Sequence, residues 1–94
     1  PDVFILASGE RMKITAEISM YPIREDYLTP IDAVIEKLHS YTAIDVATFT
    51  TATTLIGDYD EVMAAITETV AFSYAEFGTC VFVAKLIPGY EPGT

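Results

Sequence analysis

The segment from Met12 to Tyr21 alternates apolar and polar side chains without a break. Because successive side chains of a strand point to opposite faces of a sheet, this pattern predicts a half-buried β-strand. Pro22 cannot donate to a ladder and is expected to end the strand. The rest of the chain must therefore cover the apolar face, while the polar face, with Glu17 and Ser19, is available for other contacts.

Two amphipathic helices are predicted to provide this cover. The first begins with Thr29 as its N-cap and Pro30 at the first helical position. The second begins with Asp58 as its N-cap, followed three residues later by Glu61, and ends before Gly78. The two apolar stripes, spaced three and four residues apart, are Ile31, Val34, Ile35 and Leu38, then Val62, Met63, Ile66, Val70, Tyr74 and Phe77.

The three remaining strands are predicted from β-branched and apolar runs. The stretch 44–57 is rich in threonine and lacks proline, which favours a hairpin with strands near 44–50 and 52–57 that turns at Thr50-Thr51. Residues 79–87 form the last strand, which is apolar on both faces, and we expect both of its faces to be covered.

The order strand, helix, strand, strand, helix, strand is that of the ferredoxin-like βαββαβ arrangement. This α+β fold places two helices on one face of a four-stranded antiparallel sheet. The domain is expected to span 12–94, after an N-terminal arm, 1–11, that forms an extra strand or lies on a neighbouring subunit. Because Val81, Val83 and Ile87 then lie on the uncovered face and 51% of the chain is hydrophobic, a homodimer or homotetramer is expected.

The composition of the chain restricts the kinds of partner that it can bind and the compartment in which it is expected. The chain has 14 acidic and 5 basic residues and a net charge of −9, which argues against nucleic-acid binding. It has no apolar run long enough to span a bilayer. The apolar start, Val3 to Ala7, is short and lacks a basic residue before it, so a cytoplasmic protein is expected. One cysteine and one histidine supply no disulfide or zinc cluster, and no cofactor is predicted.

Motifs of catalysis are absent from the sequence, and a non-enzymatic protein is expected. There is no nucleophile elbow, phosphate loop or dinucleotide fingerprint. His39 falls near a helix end, and Cys80 falls within a strand, where a solvated histidine and a buried thiol are the commoner roles. Helix capping accounts for Asp58, Asp60 and Glu61.

The residues that favour ligand binding are carboxylate, hydroxyl and phenol groups near the first strand. Glu17 and Ser19 lie on its polar face, Tyr21 and Tyr27 offer flat surfaces, and the hairpin adds hydroxyls. The hairpin threonines are Thr48, Thr50, Thr51, Thr53 and Thr54. This set suits a small heterocycle with an amino group. An equally simple alternative is that the threonines serve strand propensity and that Glu17 pairs with Lys85 or Lys13.

Three short motifs resemble a known family. They are Ile18 to Tyr27 before a helix, Thr53 to Asp58 with Asp60 to Val62 at the second helix, and Val81 to Lys85 in the last strand. In order and spacing they resemble the thiamine/hydroxymethylpyrimidine-binding family of the YkoF type and its single-domain thiamine-binding relatives.

The resemblance implies a ferredoxin-like domain that binds thiamine or its pyrimidine precursor without turning it over. In the YkoF type two such domains are joined, so a single domain is expected to form a dimer. Matching positions imply ligand contacts at Ser19, Tyr21, Asp26 and Tyr27. Sheet geometry adds Thr48, Thr50 and Thr53, and Glu17 or Asp26 is expected to meet the amine or the positive charge.

Two other functions remain open at this point. One is a regulatory or protein-interaction module with an effector site at the subunit interface. The other is an enzyme on the same scaffold, for which Glu17, Asp26 or Asp45 would have to act as the base.

Overall fold

Four strands and two helices follow each other in the predicted order in the computed structural model, which describes residues 4–90. They are β1 (Lys13–Pro22), α1 (Leu28–His39), β2 (Asp45–Thr48), β3 (Thr53–Asp58), α2 (Tyr59–Phe77) and β4 (Cys80–Pro88). The strands form one antiparallel sheet in the order β2-β3-β1-β4. The predicted ferredoxin-like α+β fold is therefore confirmed.

The alternation along β1 determines which face of the sheet is covered. Ile14, Ala16 and Ile18 are buried beneath the helices, together with Leu55 of β3. The odd-numbered residues of β1 lie on the opposite face, which we call the open face. The remaining core residues are Val34 and Leu38 of α1, Ile44 before β2, and Val62 and Ala65 of α2.

The stripe predicted for α2 is partly wrong. The helix buries Ala65, Thr69 and Ser73, whereas Val70 and Tyr74 are exposed. Small side chains allow a helix to approach the sheet closely. In α2 the line of small residues, Ala65, Thr69 and Ser73, therefore faces the sheet, and the line of Val70 and Tyr74 does not. The hydroxyls of Thr69 and Ser73 have no hydrogen-bond partner within the described residues.

The predicted N-cap position is correct for α2 and wrong for α1. Tyr27 is the N-cap residue of α1, two residues before the predicted Thr29, and Asp26 accepts the hydrogen bonds from Thr29. Asp58 is the N-cap residue of α2, as predicted, but its side chain makes no capping hydrogen bond. Its carboxylate instead binds Lys13.

The prediction that both faces of β4 are covered is wrong for the single chain. Every residue of β4 except Cys80 and Phe82 is exposed. On the open face, Val81, Val83 and Ile87 are exposed, as the helix placement predicted. The strand lies at the edge of the sheet. Leu86, on its helix-facing side, is 43% exposed.

The described part of the N-terminal arm folds back on its own chain. Ile5 bridges to Arg11, and the backbone N–H of Met12 donates to the carbonyl of Phe4 at 2.7 Å. The Phe4 ring lies 5.0 Å from that of Tyr59, between centroids. Residues 1–3 and 91–94 lie outside the described residues. Neither α1 nor α2 is long and apolar enough to cross a membrane.

Candidate functional site

The sheet separates the predicted binding residues into two groups. Glu17, Ser19 and Tyr21 lie on the open face, at odd positions of β1. Thr53 pairs with Ile18 of β1 and with Thr48 of β2, so these two threonines lie on the helix-covered face. The expectation that sheet geometry brings Thr48 and Thr53 opposite Ser19 and Tyr21 is therefore wrong. The register of the hairpin, which the sequence did not define, decides this.

Thr48 and Thr53 form a hydrogen-bonded chain with the end of α1. The Nε2 atom of His39 lies 2.8 Å from the Thr48 hydroxyl, which lies 3.1 Å from the Thr53 hydroxyl. Thr53 is buried and Thr48 is exposed. These groups join the helix to the hairpin and hold the hairpin against it.

Asp26 and Tyr27 lie in the connection between β1 and α1. The Asp26 carboxylate accepts a hydrogen bond from the Thr29 hydroxyl at 3.0 Å and lies 3.9 Å from the Arg24 guanidinium. It thereby satisfies a donor at the start of the helix. The Tyr27 side chain is 54% exposed and so has room to contact a ligand.

A groove between α1, the end of β1 and the hairpin turn brings two of the predicted residues together. We call it the α1–hairpin groove, and its volume is about 120 Å³. Ser19 and Thr50 line its mouth with Thr51. Its full lining is Ile18, Ser19, Met20, Ile31, Val34, Ile35, Leu38, Thr50, Thr51 and Ala52.

The hydroxyl of Ser19 helps to fix the shape of this groove. It donates a hydrogen bond to the carbonyl of Thr51 at 3.1 Å, which ties the hairpin turn to β1. The turn itself is closed by a hydrogen bond of 2.8 Å from the Phe49 N–H to the Ala52 carbonyl. The mouth is thus polar and held in place, while the floor is apolar.

The apolar floor was missed as part of a site by sequence reasoning. Ile31 and Ile35 were predicted as helix stripe and Met20 as the dry face of β1, and each is only partly buried. An apolar stripe that packs into a core and one that lines a groove have the same spacing. No local signal distinguishes them, because the groove exists only where three separate segments meet.

Glu17 has no hydrogen bond or ion pair within residues 4–90. It stands opposite Thr54 on β3 and Lys85 on β4 in the ladder, and it is exposed. Lys85 lacks an ion pair in the same described part of the chain, while Lys13 binds Asp58. The predicted cross-strand ion pair is thus not formed, and the carboxylate is open to solvent.

A cluster of charges occupies the other end of β1, beside a surface cavity lined in part by the N-terminal arm. Arg11 binds Asp58 through Nε at 3.1 Å and Asp60 through Nη2 at 2.6 Å. The hydrogen bond from Lys13, with its positive charge and that of Arg11, lowers the pKa of Asp58. The Asp60 carboxylate raises the pKa of Arg11. Helix capping was the role predicted for these acids, but Asp58 makes no capping hydrogen bond, whereas Asp60 accepts one from the Glu61 N–H at 3.0 Å in addition to that from Arg11.

Metal binding finds no support in the described residues. No three histidine, cysteine, aspartate or glutamate side chains within residues 4–90 are placed to hold an ion. Asp58 and Asp60 lie close together but are neutralised by Arg11 and Lys13.

Solved structures with this fold include proteins of similar length. A Thermotoga maritima protein assigned provisionally to thiamine biosynthesis or salvage is 28% identical, with a TM-score of 0.69 and 86% of each chain covered. A hypothetical protein of Methanocaldococcus jannaschii is 26% identical, with a TM-score of 0.70, and 80% of this chain and 78% of that chain are covered. A Streptococcus pneumoniae protein, at 21% identity and a TM-score of 0.74 with 80% and 84% covered, shares the fold.

A family model provides the assignment that these structures alone do not. The sequence matches none of the curated proteins. The model of the YkoF-related family, however, matches residues 13–81, from the first residue of β1 into β4. This match includes both helices, the first three strands and the first two residues of β4, and it covers the first two of the three motifs. The chain therefore belongs to the YkoF-related family.

Proposed function

We propose that this protein binds thiamine or its hydroxymethylpyrimidine precursor in the α1–hairpin groove and does not turn the ligand over. The groove itself is the observation that carries the proposal, because it combines an apolar floor with hydroxyls at its mouth. Ligand sites of small molecules are typically apolar with a few placed polar groups. Family membership and the Thermotoga protein's thiamine-related assignment support the choice of ligand.

The size of the groove favours one six-membered ring. The groove has a volume of about 120 Å³ and is partly open to solvent. An enclosed apolar cavity of roughly 150 Å³ is known to accept benzene. A methylpyrimidine ring is of this order. The hydroxyls of Thr50 and Thr51 can donate to its ring nitrogens, and that of Ser19, which donates to the Thr51 carbonyl, can accept from its amino group.

The open face supplies a charge for the second half of thiamine. Glu17 precedes Ser19 by two residues on the same face, which is about 7 Å along a strand. Thiamine joins its pyrimidine to a positively charged thiazolium ring through one carbon. The groove lies on the helix-covered side of the sheet and Glu17 on the open face, but the pairing of β1 with β3 ends at Ile18, so Ser19 lies where the rim of the groove meets the open face. With the pyrimidine in the groove, we place the thiazolium ring past this rim, on the open face and towards Glu17, whose carboxylate has no ion pair within the described residues. A net charge of −9 favours the approach of such a cation.

The lining of the groove favours binding over acid–base catalysis. None of its lining side chains is ionisable. General acid–base catalysis requires a titratable group within hydrogen-bond reach of the reacting atom. Glu17 is positioned to bind a charge rather than to act inside the groove. The remaining predicted contacts, Tyr21, Asp26 and Tyr27, belong to the same end of β1 and are proposed to contribute at its rim.

A regulatory role is the second candidate, and the exposed apolar surface of β4 favours it. A homo-oligomer that buries this surface would have interfaces at which an effector could act. The homodimer or homotetramer is part of the proposal in either case.

Calorimetric titration with thiamine and with hydroxymethylpyrimidine tests the binding proposal. We expect Ile35→Trp, which fills the groove, to abolish binding of both ligands. Ser19→Ala is expected to weaken both by about two- to tenfold, the equivalent of one hydrogen bond. Glu17→Gln is expected to lower the affinity for thiamine by about two- to fivefold and to leave the affinity for hydroxymethylpyrimidine unchanged.

The control variant is Thr42→Ala, which removes an exposed hydroxyl from the connection between α1 and β2 that does not line the groove. It is expected to bind both ligands as the parent does. Absence of heat with either ligand at millimolar concentration would overturn the proposal. Equal loss of both ligands in Glu17→Gln would reject the placement of the thiazolium ring.

A further inference from the structure

Lys85 is the one basic side chain that lacks both an ion pair and an aromatic partner within the described residues. The chain has five basic residues. Arg11, Lys13 and Arg24 form ion pairs with aspartates, and the Lys37 ammonium lies over aromatic rings. On a chain whose net charge is −9, a cation that no carboxylate has engaged is available to an anionic group of a ligand.

Lys85 stands next to the carboxylate that the proposed function assigns to the thiazolium ring. It is the partner of Glu17 in the ladder between β1 and β4, so both side chains lie on the open face. Side chains directly opposite each other on antiparallel strands have Cβ atoms about 4.5–5.5 Å apart. The two groups nevertheless form no ion pair, and both are exposed. A ligand on this face therefore meets a negative and a positive charge side by side.

An apolar side chain connects this pair of charges to the rim of the groove. Val83 is the partner of Ser19 and precedes Lys85 by two residues on the same face, where it is 54% exposed. A thiazolium ring that has passed Ser19 can lie against Val83, because the ring carries a methyl group. Its hydroxyethyl arm extends further from the pyrimidine, and we place the end of this arm beside the Lys85 ammonium.

We infer that the site takes the phosphate ester of thiamine and that Lys85 binds the phosphate, an inference that rests on the proposed function. A phosphate monoester carries a charge of about −1.5 to −2 at pH 7. Lysine binds phosphate as a point charge with three donors on a flexible four-carbon stem. The ester carries a cation and then an anion, in the order in which a ligand leaving the groove meets Glu17 and Lys85. Lys85 therefore determines how the site discriminates between the ester and free thiamine.

The charges around the site limit the size of this preference. Glu17 and the net charge of −9 repel the phosphate, whereas Lys85 repels the thiazolium ring of either ligand. An ion pair between exposed groups changes an affinity by a small factor only. We expect the parent to bind thiamine monophosphate at least as tightly as thiamine, and this affinity for the ester to depend on Lys85.

Calorimetric titration with thiamine and with thiamine monophosphate tests the inference. Lys85→Gln is expected to lower the affinity for the monophosphate by about two- to fivefold and not to lower the affinity for thiamine. Lys85→Arg retains the charge and is expected to bind both ligands as the parent does. The difference between the parent and Lys85→Gln should shrink at high salt, because exposed charges are screened.

The matched control is Lys37→Gln, which changes the net charge by the same amount on α1, outside the groove lining. It is expected to keep the parent's ratio of the two affinities. The phosphorus NMR resonance of the monophosphate should shift on binding to the parent and less on binding to Lys85→Gln. Circular dichroism checks that each variant is folded, and sedimentation equilibrium checks that its mass is that of the parent.

Two results separate a failure of this inference from a failure of the proposed function. If thiamine binds and Lys85→Gln leaves the ratio of the two affinities unchanged, the phosphate assignment is wrong and the groove remains the thiamine site. If the parent binds neither thiamine nor hydroxymethylpyrimidine, the proposed function is wrong and the inference is overturned with it. Inorganic phosphate is expected not to displace the monophosphate at equal concentration. Displacement would show that Lys85 takes a free anion instead of the end of this ligand.

Discussion

The two edges of the sheet differ in length, in polarity and in how the chain protects them. The β2 edge has four residues, begins with Asp45, and is fixed by the hydrogen bond between His39 and Thr48. The β4 edge has nine residues and is exposed along most of its length. One edge is completed by contacts within the chain, and the other is not.

This difference separates the edge that is stabilised by contacts within the chain from the edge that is available for association. At the β2 side, Ile44 fills the space beside Gly57 and is buried, so the hairpin is stabilised by the chain itself. The hairpin turn can then serve as one wall of the α1–hairpin groove. At the β4 side, apolar surface is left for association. Ligand binding and assembly are therefore proposed at opposite edges.

The largest expected effect is the cost of truncating an isoleucine beside each edge. Ile44→Ala should lower the free energy of unfolding by about 2–5 kcal/mol, because it opens a cavity in the core. Ile87→Ala, 38% exposed in the single chain, should cost about 1 kcal/mol or less under monomeric conditions. Urea unfolding at low protein concentration measures both.

Repeating that comparison at high protein concentration sharpens it. Association through β4 should increase the cost of Ile87→Ala and leave that of Ile44→Ala unchanged. Equal costs for the two variants at low concentration would mean that the edges do not differ in the way described.

A smaller effect is expected from a methyl group added at Gly57. A Cβ atom there would lie 3.0 Å from Cγ2 of Ile44 and 3.5 Å from its Cα. Gly57→Ala should therefore lower the free energy of unfolding by about 1–3 kcal/mol through overpacking. In an Ile44→Ala background Cγ2 is absent, and the same change should cost much less. Additive costs in this double-mutant cycle would show that the contact does not limit the packing at β2.

Much of the fold could be predicted because it depends on short-range patterns. The alternation in β1 and the stripe in α1 each define an element and its buried face. The order of elements then restricts the topology to very few arrangements. For α2 the pattern was ambiguous, since both the Val70–Tyr74 line and the Thr69–Ser73 line have helical spacing. How closely the helix approaches the sheet decided between them.

The candidate site could be predicted only in part, because it depends on register and on distant segments. Ser19 and Thr50 were predicted and do line the groove. Thr48 and Thr53 were predicted with them but do not line the groove and lie on the helix-covered face, opposite to that of Glu17, since the hairpin turn sets which side chains point inward. Ile31 and Ile35 could not be recognised, because a helix stripe does not reveal whether a neighbour covers it.

The smallest expected effect concerns the charge cluster at the end of the sheet where β1 begins, which belongs to neither edge. Because Lys13 and Arg11 lower the pKa of Asp58 in the folded chain, its ionised form stabilises the fold above pH 3.8, the ordinary value. That stabilisation is lost as the pH falls through the lower folded-state pKa. In Asp58→Asn, the free energy of unfolding measured by chemical denaturation should therefore decrease less than in the parent as the pH is lowered from about 5 to 2. We call this part of the pH dependence the acid limb.

The matched control for this change is Asp45→Asn at the start of β2, since Asp45 is exposed and makes no ion pair within residues 4–90. It should leave the acid limb as it is in the parent. The dimer mass should be unchanged in both variants, because neither residue lies on the β4 edge. An Asp58→Asn variant that became monomeric would mean that the cluster supports the β4 edge through β1, and the two edges would then no longer be independent of this end of the sheet.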